Sequence, residues 1–245
     1  VLIAITGVLA VLEFYKMVAG MKVPPLTYFG LVWTLLFILS RNSDLLSLLS
    51  HRFDVSLLTP LLIISAVAIP LLWLLRRSQR GETFPRWAWT IAGILYVGWL
   101  LSYLVALRYL DDGRNWVFLA LFTTFGSDIA AYFTGRAIGR HHLALRISPG
   151  KTWEGAIAGV LGAVIVSLVL SILLGLPLNY GQAIILGLLV SILGQLGDLV
   201  ESLLKRNMGV KDSGKLIPGH GGFLDRMDSI VFTGVVVYYY VIWAT

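Results

Sequence analysis

Two kinds of residue are scarce in this chain, and each scarcity excludes a class of protein. The chain has no cysteine, which excludes disulfide frameworks and thiolate metal sites. Only 13% of its 245 residues are charged, about half of the roughly 25% that is usual in soluble globular proteins. Hydrophobic residues make up 58%, and the mean hydropathy is +0.85. This composition excludes a disordered chain and a basic nucleic-acid-binding domain, and it predicts an all-α, polytopic integral membrane protein.

Eight stretches are long and apolar enough to be membrane-crossing helices, since about 20 apolar residues span the hydrocarbon core. They cover residues 1–20, 26–40, 55–75, 87–110, 115–139, 153–176, 181–206 and 227–243. The chain starts at Val1 with no charged segment before the first apolar run, so we expect a trimmed or processed N-terminus. Our count is eight helices, or nine if the full-length protein has one upstream. We predict a single membrane domain over 1–245, with scaffold helices in 1–110 and the catalytic helices and loops in 115–245.

The number of Lys and Arg residues alternates between high and low in successive connections. Fifteen of the 19 Lys and Arg residues lie in or beside the odd-numbered connections, and four lie by the even-numbered ones. Cytoplasmic loops of membrane proteins carry the excess of Lys and Arg, so we expect the odd-numbered connections to face the cytoplasm. The net charge of +6 is therefore interpreted as an orientation signal.

Ionisable residues occur inside two of the predicted helices, where each is a functional hypothesis because lipid makes charge expensive. Asp128 lies in the fifth helix. One face of the seventh helix, at steps of three and four residues, carries Gln195, Asp198, Glu201, Ser202 and Lys205. The structural alternative for Asp128 is a carboxylate bonded to a neighbouring helix. The alternative for the seventh helix is a Glu201–Lys205 pair, which leaves Asp198 unexplained.

The connection before the eighth helix combines glycines with charges of both signs. Its chemistry-bearing residues are Lys205, Arg206, Lys211, Asp212, Gly214, Lys215, Gly219, His220, Gly221, Gly222, Asp225, Arg226 and Asp228. Glycines let backbone amides approach a phosphate closely, carboxylates hold hard cations, and Lys or Arg neutralise phosphate charge. This pattern predicts a site for a metal-bridged polyphosphate; the alternative is a basic loop that only obeys the orientation rule.

A second anion site is predicted at residues 148–155, at the start of the sixth helix. We expect Ser148 to cap the helix and Pro149 to occupy its first position, which leaves amides free for an anion. The Gly150-Lys151-Thr152 run is not a Walker A loop, since the leading glycine position holds Leu145. The alternative is an interfacial anchor. The carboxylate pair at 111–112 is interpreted as a capped turn on the outer side.

Three motifs resemble those of the phosphatidate cytidylyltransferases, also called CDP-diglyceride synthases. The C-terminal motif spans 27 positions and includes Ser202, Lys205, Arg206, Lys211, Asp212, Gly214, Ile217, Pro218, His220, Gly221, Gly222, Asp225, Arg226 and Asp228. The other two are Ser127-Asp128 with Ala131, Tyr132 and Gly135, and the run 148–155. The resemblance covers residues 126–228, and the first hundred residues add only the hydrophobic pattern.

The resemblance implies that CTP and phosphatidic acid react to give CDP-diacylglycerol and pyrophosphate, with Mg²⁺ required. It also implies a homodimer in the inner membrane of a bacterium, with the active site facing the cytoplasm. We expect membrane lipid to be a partner of such a protein, and we expect no nucleic-acid partner.

Roles for individual residues follow as hypotheses. Asp198 and Asp225 would hold the divalent cation, and Asp128 with Asp228 would complete a second cation site or orient the first. The remaining candidates would bind substrate: Lys151, Lys205, Arg206, Lys211, His220, Gly221, Gly222 and Arg226. Of these, Lys151 would hold the phosphatidate headgroup or the triphosphate, and His220 would donate to pyrophosphate or stabilise the loop. Asp212 would recognise cytosine or pair with Lys211.

Two rival functions are set aside on sequence. A CDP-alcohol phosphotransferase needs an Asp-Gly-x-x-Ala-Arg run with further spaced aspartates, and the run at 111–114 does not continue that way. An ion-coupled transporter could use Asp128 and Asp198 as cation sites, but such proteins commonly show paired repeats, and none is visible.

Overall fold

The computed structural model describes residues 1–50, 54–77, 81–214 and 221–244. Its α-helices are α1 Leu2–Gly20, α2 Thr27–Leu39, α3 Ser43–Ser50, α4 Leu58–Arg77, α5 Thr83–Gly93, α6 Leu100–Arg108, α7 Gly113–Ile138, α8 Trp153–Leu173, α9 Tyr180–Asn207 and α10 Asp228–Ala244. Short 3₁₀ turns cover Val55–Leu57 and Leu224–Arg226, and a π-helical segment, Ile94–Trp99, joins α5 to α6.

Within the described residues, six helical segments are long and apolar enough to cross a membrane. They are Leu2–Gly20, Val55–Arg76, Thr83–Arg108, Gly113–Ile138, Trp153–Leu173 and Tyr180–Asn207. The apolar helices α2 and α10 are shorter, with 13 and 17 residues. Each of the eight predicted stretches contains a helix, which confirms the all-α, polytopic integral membrane protein.

A two-stranded antiparallel hairpin lies between α7 and α8. Its strands are β1 His142–Ala144 and β2 Ser148–Thr152. The predicted cap at Ser148 and helical position of Pro149 are therefore wrong, because both residues belong to β2. The helix begins at Trp153, four residues after Pro149, and its N-cap is Thr152, whose hydroxyl accepts a hydrogen bond of 3.2 Å from the Gly155 amide.

The chain forms two compact units, and the first comprises residues 1–106 and 207–227. Its helices enclose a cluster of buried Trp33, Phe37, Leu62, Ala66 and Ile94. Helix α1 is tied to α5 by the buried Tyr15 hydroxyl, which donates to the Thr90 carbonyl oxygen at 2.7 Å. The glycine-rich segment 207–227 thus belongs to the same unit as the predicted scaffold helices.

The second unit comprises residues 107–206 and 228–245, and small residues bring α7 and α8 into close contact. A methyl group on Gly159 would lie 3.1 Å from the Ser127 carbonyl oxygen, and one on Gly155 would lie 2.7 Å from that of Ala131. Glycine and alanine allow such backbone approach between membrane helices. The apolar core of this unit contains Leu107, Trp116, Leu119, Ala120, Leu176, Leu186, Val190, Val237 and Val241.

Candidate active site

An ion pair links the hairpin to α9 in the second unit. The Lys151 Nζ atom, at the end of β2, lies 2.7 Å from the Asp198 Oδ2 atom. The Nζ atom is enclosed and donates no hydrogen bond to any described residue, so charge attraction holds the pair. On the other side of Asp198, the Ser202 hydroxyl donates to Oδ1 at 3.3 Å. The structure thus brings together two predicted site residues from segments 47 positions apart.

Two further predicted carboxylates lie near this pair. Asp128, exposed on α7, interacts electrostatically with Asp228, Asp198 and Lys151. Asp228, the first residue of α10, interacts with Asp198 and Lys205 and accepts a hydrogen bond of 2.6 Å from the Ser229 amide. An accessible carboxylate within a membrane helix has to face water, a polar partner or a ligand, because exposure to lipid is costly.

The absence of a side chain at Gly197 lets α10 begin close to Asp198. A methyl group there would lie 2.8 Å from the Asp228 carbonyl oxygen and 2.5 Å from the Phe232 ring. Gly194, one turn earlier, likewise faces Thr233. The two glycines are therefore what permits the carboxylates of α9 and α10 to share one region.

The ion pair named above as the structural alternative for this helix is present in α9. The Lys205 Nζ atom lies 3.1 Å from the Glu201 Oε2 atom, and Glu201 is fully buried. The next residue, Arg206, donates from Nε to the Ile147 carbonyl oxygen at 3.1 Å. The cations at the end of α9 thus stabilise the carboxylate beneath them and the hairpin beside them.

A separate network lies in the first unit and joins the two ends of the glycine-rich loop. The Asp225 carboxylate accepts hydrogen bonds from the Ser213 amide at 3.0 Å and the Gly222 amide at 2.7 Å. Gly221 has a backbone φ of +82°, a conformation that glycine adopts without strain. We call residues 213–214 and 221–225 the loop base. Asp225 thus has a demonstrated part in closing the loop.

Glu13 in α1 completes this network, and the sequence analysis did not select it. Its Oε2 atom accepts hydrogen bonds from the Leu224 amide at 2.8 Å and the Ser213 hydroxyl at 3.1 Å. The side chain is buried, and Oε1 accepts no hydrogen bond from any described residue. The sequence could have indicated Glu13, because an acidic residue within a membrane helix is unusual enough to suggest a role.

The other predicted residues have simpler surroundings. Lys211, Asp212 and Arg226 are exposed in the first unit. His220 lies outside the described residues, as do Lys215 and Gly219, and its role stays a prediction. Asp198 and Asp225 belong to different compact units, and their sharing of one ion stays a prediction.

The donor chemistry of the second unit suits a divalent cation held together with phosphate. Four carboxylates, Asp128, Asp198, Glu201 and Asp228, accompany the ammonium groups of Lys151 and Lys205, which leaves excess negative charge. No three carboxylate or imidazole groups of the described residues are arranged as a metal cluster. Mg²⁺ does not require one, since it is usually bound by one or two carboxylates plus substrate phosphates. The residues present therefore fit such an ion.

Comparison with known proteins agrees with this chemistry. Residues 1–243 match the cytidylyltransferase family. The chain is 39% identical over 158 residues to the phosphatidate cytidylyltransferase of Bacillus subtilis, and 33% identical over 271 aligned positions to phosphatidate cytidylyltransferase 5, chloroplastic, of Arabidopsis thaliana. It is 44% identical over 157 residues to uncharacterized protein YnbB of Escherichia coli K12.

These matches cover a larger share of this chain than of the relatives. They cover 64%, 98% and 63% of this chain respectively, and 59%, 65% and 52% of the relatives. The chain thus spans between half and two thirds of the length of these curated relatives.

Proposed function

Because the chain belongs to the cytidylyltransferase family, we propose that it transfers a cytidylyl group from CTP to phosphatidic acid. The products would be CDP-diacylglycerol and pyrophosphate. The observation that carries the proposal is the Lys151–Asp198 ion pair, with Asp128 and Asp228 beside it in a unit built of membrane helices. A lipid phosphate and a soluble nucleotide can meet only near the membrane surface, where these helices end.

The reaction as proposed needs charge neutralisation more than proton transfer. Phosphate monoesters have a second pKa of about 6, so much of the phosphatidate is already a dianion at neutral pH. One of its oxygens attacks the α-phosphorus of CTP, and the bond from that phosphorus to the pyrophosphate oxygen breaks. Both reactants are anions, so the barrier lies in their approach and alignment.

The chain's cations would perform that alignment. Lys151, already enclosed beside Asp198, is suited to bind a phosphate oxygen while keeping its carboxylate partner. Lys205 and Arg206 lie one after the other at the end of α9, where they can bind further phosphate oxygens. In the first unit, Lys211 and Arg226 are exposed, and their positive charges would bind the phosphates of the nucleotide.

The carboxylates would hold the metal ion. We propose that Asp198 and Asp225 bind Mg²⁺, with Asp128 and Asp228 orienting the site or binding a second cation. When bound, the ion would neutralise triphosphate charge and stabilise the departing pyrophosphate. The excess of Lys and Arg in the odd-numbered connections favours an active site on the cytoplasmic face, which in a bacterium is that of the inner membrane. A homodimer remains part of the proposal.

The test is an assay of the purified protein in detergent with CTP, phosphatidate and Mg²⁺. We expect pyrophosphate and CDP-diacylglycerol to form in equal amounts, and to require both substrates and the metal. Diacylglycerol in place of phosphatidate is the matched control, because it lacks the attacking phosphate. Ion flux in liposomes without pyrophosphate release would overturn the proposal in favour of a transporter.

A further inference from the structure

Glu13 holds the two ends of the glycine-rich loop from a position outside it. Ser213 precedes the loop interior and Leu224 follows it, yet both donate to the same carboxylate oxygen. The residues are 200 and 211 positions from Glu13 in the chain. Charge-assisted hydrogen bonds of this kind are roughly twice as strong as neutral ones.

The loop base is shaped around this carboxylate. A methyl group on Gly214 would lie 2.5 Å from Glu13 Oε1, and one on Gly222 would lie 2.5 Å from Oε2. Leu224, whose amide donates to Glu13, is itself only 1% exposed. Glycine at both positions therefore lets the backbone pass on either side of the carboxylate.

Ser213 connects Glu13 to Asp225. Its hydroxyl donates to Glu13 and accepts from the Asp225 amide at 3.3 Å, while its own amide donates to the Asp225 carboxylate. The carboxylate of Asp225 therefore takes its position partly from Glu13. Helix α1 is a rigid support for this contact, because Phe14 and Tyr15, the next two residues, are fully buried.

We propose that Glu13 is a positioning residue for the site, which fixes the loop base and through Ser213 orients Asp225. The proposal rests on the proposed function for its effect on turnover, but not for its effect on the loop. Loss of the carboxylate would release both ends of the loop without removing any group that contacts substrate.

The direct test is hydrogen exchange of the full chain in detergent, followed by mass spectrometry. Glu13→Leu removes both acceptor contacts, so the peptides that contain Ser213 and Leu224 should exchange about tenfold faster or more. Glu13→Gln keeps an oxygen that can accept both bonds and should restore most of the protection. Glu82→Gln is the matched control, since Glu82 precedes α5 without a side-chain cap and should leave exchange unchanged.

Ser213→Ala provides a second variant in case Glu13→Leu does not fold. It removes the hydroxyl donor while leaving α1 intact, and it should increase exchange at the loop base alone. In the assay, Glu13→Leu should raise the KM for CTP more than that for phosphatidate, with Glu13→Gln close to the unaltered protein. Unchanged exchange in both Glu13→Leu and Ser213→Ala, or equal acceleration in α7 and α8, would overturn the proposal. The exchange result stands even if the chain shows no cytidylyltransferase activity.

Discussion

Lys151 Nζ lies 2.7 Å from Asp198 Oδ2, so a residue near the end of the hairpin is paired with a residue nine positions before the end of α9. Both side chains are partly accessible, at 23% and 32%. This partial accessibility lets a phosphate approach Lys151 while the lysine keeps its carboxylate partner, as the proposed function requires.

Removal of the Lys151 charge should lower turnover strongly. Lys151→Met keeps the aliphatic stem but leaves Asp198 without its cation and the substrate without a phosphate contact. We expect pyrophosphate release to fall about a hundredfold, as suits the loss of one charged hydrogen bond together with the ion pair. Lys16→Met, at an exposed position of α1, is the control and should be active. Equal rates for the two variants would contradict the assignment.

Lys211→Ala should weaken the use of CTP and spare the fold. Lys211 is exposed, so its loss removes no packing. One charged contact to phosphate contributes about 1.5–3 kcal/mol, which corresponds to roughly a tenfold or greater rise in the KM for CTP. Steady-state rates at varied CTP measure this, with thermal unfolding in detergent as the check on folding. An unchanged KM would remove Lys211 from the nucleotide site.

Thr152→Val should destabilise the start of α8. Valine preserves the shape of the side chain but cannot accept the hydrogen bond from the Gly155 amide. Loss of an N-cap costs about 1 kcal/mol, so the midpoint of unfolding should fall. Thr152→Ser keeps the hydroxyl and should retain most of the stability. If both substitutions lower the midpoint equally, the cap is not what Thr152 contributes.

Gly222→Ala should disrupt the loop base. The added methyl group would overlap the Ser213 hydroxyl and lie 2.5 Å from Glu13 Oε2. We expect loss of most activity and faster exchange of the amides at 213 and 224. Gly20→Ala is a matched control, since a methyl group there meets nothing within 4 Å. Normal exchange in Gly222→Ala would contradict this prediction, because it would mean that the loop base accommodates the methyl group.

The sequence was sufficient to predict the helices and one contact within the candidate site. Apolar stretches of membrane length have few alternatives to helix, because every backbone polar group in lipid needs an internal partner. The Glu201–Lys205 contact followed from helical spacing alone. The approach of Lys151 to Asp198 did not, since it depends on how the hairpin returns to α8.

The hairpin and Glu13 illustrate what local pattern misses. Ser148 and Pro149 have the composition of a helix start, but pairing with residues 142–144 places them in a strand. Glu13 lies in an apolar helix, and its partners Ser213 and Leu224 are 200 and 211 positions away in the chain. Contacts of that range are set by tertiary packing, which no window of sequence contains.

The most direct test of the central claim compares Asp198→Asn with Asp111→Asn in the CTP- and phosphatidate-dependent release of pyrophosphate. Both substitutions remove one carboxylate charge from the second unit, but Asp111 is an exposed residue in the turn before α7. The account predicts that Asp198→Asn loses nearly all activity while remaining folded, and that Asp111→Asn keeps it. Near-normal turnover by Asp198→Asn would contradict the account.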